Sequence, residues 1–356
     1  MNDGNRFHPI VDAHLDLAFN GVNLGRDLTL ALDDLRAREA RTAETGMVTW
    51  PELRDAGVDV VFGTLYASPA TKVPMQVQPG GERVEADRVD GAGYVDAEGA
   101  HAQARAQLDW YQAMERDGWI RIVRDRGDLA ALRSRRATDP LGLVLLMEGA
   151  DPIRTPGETA WWWQQGVRIV GPAWQRTRYA GGTRAPGPLT PLGRALMHEM
   201  SALGMALDVS HLSDESLFEA LELHRGPVLA SHSNARALTP SDRHLDDDAL
   251  RALAARDAVV GLVLGSAFLD VSAGRHGPVA LQRVGEHFAH VAALVGSDRV
   301  GIGSDLDGGF GAEETPTELT RGGDLARLAD VVPEAQRASF MGGAWWSWLE
   351  RALPSS

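Results

Sequence analysis

Apolar stretches of strand length recur along the whole chain, each followed by a segment with different spacing. They fall at 10–17, 60–66, 143–148, 167–174, 205–211, 227–232, 258–265 and 300–305. Apolar runs without strict alternation belong to parallel sheets covered on both faces. Between them the period becomes helical. Over 97–116, Ala104, Leu108, Tyr111 and Met114 return every three or four residues, the mark of one buried helix face. Thr190 followed by Pro191 caps and starts another helix, lined by Leu192, Ala195, Leu196 and Leu203 and stopped by Gly204. Further helices are expected from Ser213 and Asp214 to before Gly226, across 246–255 and across 278–294. Eight strands alternating with helices predict an α/β fold, a closed (β/α)8 TIM barrel. A barrel of this length is one domain, 1–356, closed by a C-terminal helix at 342–353 that Trp345, Trp346 and Trp348 would dock.

A polar stretch rich in Gly and Pro at 68–95 interrupts this rhythm and reads as a long loop excursion, either an insertion or a lid over a site. Trp161, Trp162 and Trp163 fall on an outer helix, where core packing accounts for them better than a binding box.

Composition narrows the chemistry. The net charge of -14 excludes a nucleic-acid partner or an anionic membrane surface, since both need a basic face. With no cysteine, any metal must be held by His, Asp or Glu. No apolar run approaches the ~20 residues that cross a bilayer, and residues 1–9 lack a signal-peptide core. A soluble, cytoplasmic protein is therefore expected.

The polar residues that matter sit at the C-terminal ends of the strands. His14 and Asp16, two apart, project to one face. Glu148, His211, His232 and Asp305 end four later strands. Barrel enzymes carry their chemistry at that end. Buried singly, each such group costs several kcal/mol, so a shared cation site is the economical reading. Three imidazoles and two or three carboxylates suit two cations, with Glu148 bridging. Paired cations can hold a hydroxide between them and polarise a carbonyl. Asp305 would take the proton of that water and pass it to a leaving amine. The other histidines are read as surface or structural.

These same stretches carry a resemblance. The segments LTPLGR at 189–194, LDVSHLSD at 207–214 and ASHSNARAL at 230–238 resemble motifs of the membrane (renal) dipeptidase family of metallopeptidases, peptidase family M19. GIGSDLDG at 301–308 and DAHLD at 12–16 extend the match toward both ends of the chain. The resemblance implies an amidohydrolase-like metal barrel that cleaves small dipeptides, with a D-residue tolerated on the C-terminal side. It implies two zinc ions per chain: His14 and Asp16 on the first, Glu148 bridging, His211 and His232 on the second. It further implies Asp305 as acid and base, and Arg243, eleven residues after His232, as the grip on the substrate carboxylate. A guanidinium suits that role because it binds a carboxylate through two parallel hydrogen bonds.

Two positions depart from the family pattern. Asp151 stands where a histidine usually follows the bridging glutamate, and Trp174 stands where another histidine contacts substrate. Tryptophan donates one N–H and carries no positive charge. Trp174 is therefore expected in the substrate pocket in a changed role. Two alternatives stay open: a dinuclear hydrolase of another amide or a lactone, and a metal-binding homologue with impaired catalysis. A carbamylated-lysine bridge is unlike this chain, whose Lys72 lies in the excursion. A homodimer is left open.

Overall fold

The computed structural model describes residues 9–39, 44–70 and 93–355. His8, Lys72 and most of the 68–95 excursion lie outside them. Nine parallel strands follow in chain order: β1 (Val11–Leu15), β2 (Val60–Tyr66), β3 (Ile120–Ile122), β4 (Leu141–Glu148), β5 (Val167–Gly171), β6 (Ala206–Asp208), β7 (Val228–Ala230), β8 (Val259–Leu262) and β9 (Val300–Ile302). They order as β2-β1-β9-β8-β7-β6-β5-β4-β3, and pairing of β2 with β4 closes the ring. The closing ladder runs without interruption from Val60 opposite Gly142 to Tyr66 opposite Glu148. The result is the closed eight-stranded parallel barrel with surrounding helices that the sequence pattern predicts.

The ninth strand, β3, is the addition. It pairs with β4 only at Leu141, Gly142 and Leu143, below the point where β5 takes over at Leu145. Three residues with Arg121 exposed are too short and too polar in the middle to stand out as an apolar run.

Several strands are shorter than their apolar runs. The stretch 205–211 pairs only over Ala206–Asp208, 227–232 over Val228–Ala230, and 300–305 over Val300–Ile302. Beyond these points the chain leaves the ladder: His211 and Asp305 have φ of 69° and 60°. That left-handed conformation cannot continue a strand. The apolar signal thus continues past the hydrogen-bonded strand, into the polar tips that form the site.

Two layers of core follow from side-chain alternation. Val11, Ala13, Val60, Phe62, Val144, Leu146, Ile169, Ala206, Leu229 and Val259 pack together inside the barrel. The intervening strand residues pack outward against the helices. The same inward row then continues upward as Thr64, Tyr66, Glu148, Asp208 and Ser231. In β1 a bulge between Asp12 and Leu15 shifts the phase by one, because Asp12 faces Val61 while Leu15 faces Gly63. A bulge re-aims the side chains beyond it. Here it turns His14 and Asp16 inward after Val11 and Ala13.

The barrel floor is closed by the C-terminal helix Ala344–Ala352, which a π-helical turn at Ser339–Gly343 introduces. Trp345 donates Nε1–H to the Ile302 carbonyl at 2.9 Å, and Trp348 donates to Val228 at 3.0 Å. Phe62 meets Trp345 edge-on at 5.3 Å. Gly301 makes room, since a Cβ there would lie 2.3 Å from Trp345 Nε1. On the outer helix Thr159–Gln164, Trp162 is fully buried, while Arg105 and Arg168 lie over Trp161 and Trp163 at 4.7 and 4.0 Å. All three are packing residues. The expected helix start at Thr190 and stop at Gly204 are both present: Thr190 accepts from Gly193 N–H at 3.2 Å, and Gly204 has φ of 70°. Among the described residues no helix is long and apolar enough to cross a membrane.

Replacing Trp345 with alanine removes the floor's central side chain and its hydrogen bond. Urea unfolding should show a loss of about 3–5 kcal/mol.

Candidate active site

The strand ends bring six ionisable side chains from five strands to one point above the barrel core. Glu148 Oε1 is the hub, 3.1 Å from His211 Nε2, 3.4 Å from His232 Nε2 and 3.7 Å from His14 Nε2. His14 Nε2 is also 3.9 Å from Asp16 Oδ1 and 3.8 Å from Asp305 Oδ1. Three overlapping groups have ligand atoms within 4.8 Å of one another: His14, Asp16 and Glu148; Glu148, His211 and His232; and His14, His232 and Asp305. Glu148 belongs to the first two, as a bridging carboxylate would. All six residues are buried.

Burial sets the electrostatics. The imidazoles of His14, His211 and His232 are held well below the usual histidine range, first by desolvation and then by neighbouring positive groups that include Arg243. Glu148 is pushed well above the carboxylate range by burial and by the charges of Asp16 and Asp305. Asp305 is pushed up in the same way, by burial and then by Asp16. Three carboxylates thus share this space with the guanidinium of Arg243, itself buried. Among the described residues His14 Nε2 is buried without a hydrogen-bond partner, and the Nε2 atoms of His211 and His232 face each other at 3.0 Å. Neutral imidazole lone pairs converging on a carboxylate are a divalent-cation donor set of N and O atoms. The residues present fit divalent-cation binding.

Behind this row stands a layer that strand-end counting did not find. Ser231 Oγ lies 3.3 Å from His14 Nδ1 and 2.7 Å from His232 Nδ1. Thr183 Oγ1 lies 3.1 Å from His211 Nδ1, and the Thr64 hydroxyl donates to Asp16. Two further aspartates, Asp12 and Asp208, are fully buried below the site. Asp12 is raised to about 6, chiefly by burial and against hydrogen bonds from Ser304. Tyr66 ends β2 opposite Glu148, with its hydroxyl buried. Asp12, Asp208 and Ser231 lie inside the motifs at 12–16, 207–214 and 230–238, and Thr64, Tyr66 and Thr183 inside none of them, and a hydroxyl or a lone aspartate carries no spacing signal. Only the packing reveals them.

Arg243 reaches in from the loop after His232. Its Nη2 donates to the His232 carbonyl at 2.6 Å and its Nη1 to Ser233 Oγ at 3.3 Å. Trp174 stands beside the histidine and carboxylate cluster, 6.2 Å from the His211 ring and edge-on to Tyr66 at 5.3 Å. A cavity of about 70 Å³ opens there, with Glu148, Asp151 and Trp174 among its walls.

Comparison with known proteins agrees with this geometry. Residues 5–334 match the family described as Membrane dipeptidase (Peptidase family M19). The chain belongs to that family. In this dipeptidase family, the solved structure of dipeptidase AC superposes with a TM-score of 0.77 at 26% identity, over 98% of this chain and 99% of that one. A Rhodobacter sphaeroides metallo peptidase, solved with a phosphinate mimic of the dipeptide L-Ala-D-Ala, superposes at 0.76 and 26% identity, over 97% and 99%. A Klebsiella pneumoniae relative, the uncharacterized protein in the pqqA 5′ region, is 31% identical over 63% of this chain and 82% of its own length. Family membership makes the chain a metal-dependent peptidase of the dipeptidase type.

At the first departure from the family pattern, Asp151 is held away from the imidazoles. Its Oδ2 accepts from the Tyr94 hydroxyl at 2.6 Å and its Oδ1 from Arg178 N–H at 2.9 Å, with the Arg178 guanidinium Nε at 3.3 Å. The position has become part of an ion pair in the pocket wall.

Cation uptake by this dipeptidase-family chain should be pH-dependent in a defined direction. Without cations, the raised carboxyls of Glu148 and Asp305 favour the folded state below the usual carboxylate pKa, and this contribution is lost as pH rises through their raised values. Cations replace those protons, while the imidazoles with lowered pKa stay neutral. The rise in Tm on adding zinc should therefore be larger at pH 7.5 than at pH 5.5, measured by calorimetry against a chelated sample.

Proposed function

We propose that this protein is a dinuclear zinc dipeptidase that hydrolyses small dipeptides with a free carboxylate, including those with a D-residue on the C-terminal side. The observation that carries the reading is Glu148 Oε1 within 3.1–3.7 Å of three Nε2 atoms that lie in two overlapping ligand groups. His14 and Asp16 would hold one zinc, His211 and His232 the other, and Glu148 both. When bound, the two cations supply polarisation of the scissile carbonyl and acidification of the attacking water. The phosphinate mimic of L-Ala-D-Ala carried by the Rhodobacter sphaeroides neighbour supports the D-residue assignment.

The chain's own residues do the rest. Asp305 is positioned by backbone as much as by charge: its N–H donates to the His14 carbonyl at 3.1 Å, and its left-handed φ turns the side chain into the site. A carboxyl with raised pKa can accept a proton from water and return it to the leaving amine. Arg243, buried and anchored on the His232 carbonyl, presents a fixed positive charge to the substrate carboxylate. Trp174 and Tyr66 form an apolar wall beside Glu148 that receives the dipeptide side chain, with the Tyr66 hydroxyl as an additional donor. An amide or lactone other than a dipeptide is the second reading, favoured by Trp174 and Asp151 at positions where the family uses histidine.

Elemental analysis should give about two zinc per chain, and a panel of L-L and L-D dipeptides should show chelator-sensitive cleavage. Two zinc without any dipeptide turnover would transfer the assignment to the second reading. Arg243→Ala should cost roughly 2 kcal/mol or more in substrate binding, about 30-fold and mostly in KM. An unchanged KM would remove Arg243 from the carboxylate site. Asp305→Asn should lower kcat by about 10²–10⁴-fold with zinc content retained. Zinc loss in that variant would make Asp305 a ligand instead.

A further inference from the structure

Two pairs of adjacent strands, β1 with β9 and β6 with β7, are tied by the same device. Asp12 Oδ1 accepts from Ser304 N–H at 2.8 Å and His14 N–H at 3.4 Å, and its Oδ2 accepts from the Ser304 hydroxyl. Asp208 Oδ1 accepts from Ser231 N–H at 2.9 Å and Ser210 N–H at 3.0 Å, and its Oδ2 from the Ser231 hydroxyl at 2.5 Å. The register is the same in both: Asp12 faces Ile302 and Asp208 faces Leu229, and each serine lies two residues beyond. Each serine also directly precedes a site residue, Asp305 or His232.

The two clamps differ in what the serine oxygen meets next. Ser304 Oγ accepts from Leu306 N–H at 3.3 Å, a backbone contact. Ser231 Oγ meets His232 Nδ1 at 2.7 Å and His14 Nδ1 at 3.3 Å, with Ser210 Oγ at 3.4 Å. A hydroxyl has one proton, and an ionised carboxylate only accepts. The short contact to Asp208 therefore takes the Ser231 proton. The oxygen is left as an acceptor, so both imidazoles must bring an N–H at Nδ1. Each then carries its lone pair on Nε2, facing Glu148. His14 and His232 belong to different ligand groups, yet one oxygen faces both. The Ser231 carbonyl packs closely against Gly261 and Gly303, where a Cβ would stand 2.0 and 1.9 Å from its oxygen.

We propose that Ser231, held by Asp208, is a positioning residue that fixes the tautomers of His14 and His232 together and so couples the two cation sites. The proposal rests on the dinuclear reading above for its consequence, but the tautomers exist without any cation. His211 has its own hydroxyl behind it, because its Nδ1 meets Thr183 Oγ1, and it touches the pair only where its Nε2 faces that of His232 at 3.0 Å.

The test uses the full chain with 15N-labelled histidine. In the metal-free wild type, long-range proton–nitrogen spectra should show both His14 and His232 protonated at Nδ1. Ser231→Ala should turn both into tautomer mixtures, Ser231→Thr should restore them, and Ser304→Ala, which breaks the matching clamp, should leave them unchanged. In chelator competition Ser231→Ala should weaken both zinc sites together by about 10–100-fold, the usual cost of removing a partner behind a ligand. Thr183→Val should weaken one. If Ser231→Ala does not fold, Ser231→Cys, a poor acceptor of similar size, carries the same expectation. Unchanged tautomers in the serine variant, weakening of a single site, or equal effects from Ser304→Ala would each overturn the proposal. A wild type that takes up no zinc would defeat the dinuclear reading, and the tautomer spectra alone would then decide the role of Ser231.

Discussion

Desolvated charge at the mouth of the barrel is the constraint from which the rest of the site follows. Asp16, Glu148 and Asp305 share a buried space with the Arg243 guanidinium, and three neutral imidazoles crowd the same volume. Removing an ionised carboxylate from water costs several kcal/mol unless it is paired. Protonation is one solution, seen in the raised pKa values of Glu148 and Asp305. Divalent cations are the other. They turn an unfavourable cluster of like charges into a set of ligands, and they use the neutral imidazoles that burial has already produced. The unpartnered Nε2 of His14 and the 3.0 Å approach of two Nε2 atoms are what such a site looks like from the protein side.

Holding these groups in place is a backbone problem as much as a side-chain one. The bulge in β1 re-phases His14 and Asp16 toward the interior. Left-handed residues at His211 and Asp305 end their strands where the side chains are needed. Below them, the Asp12–Ser304 and Asp208–Ser231 clamps tie strand ends across the ladder, so each ligand inherits the rigidity of two strands. The floor, plugged by Trp345 and Trp348, supports the same strands from the opposite end. Stability and site are therefore assigned to opposite faces of one barrel.

The departures at Asp151 and Trp174 affect the pocket wall and leave the cation-facing groups complete. Asp151 is occupied by Tyr94 and Arg178, which gives the wall a fixed polar corner. Trp174 places an aromatic face against Tyr66 beside His211. Two positions where the family has titratable imidazoles thus carry a paired carboxylate and a neutral indole.

The sequence alone determined the barrel and the inner ring of the site, because both rest on local signals. Continuous apolar runs separated by helical periods identify parallel strands, and metal-capable residues stand out when they end such runs. His14, Asp16, Glu148, His211, His232 and Asp305 were legible for that reason, and they do come together. Tertiary structure decided the remainder. The three-residue β3 carries too little apolar signal to be seen, and beyond β6 and β9 the chain turns at left-handed residues, His211 and Asp305, that the apolar pattern runs straight through. The roles of Asp208, Ser231, Thr183 and Tyr66 depend on which atoms face one another across strands, from residues as far apart as His14 and Ser231. Periodicity tells which side of a strand a residue occupies; only the closed ring fixes what stands opposite it.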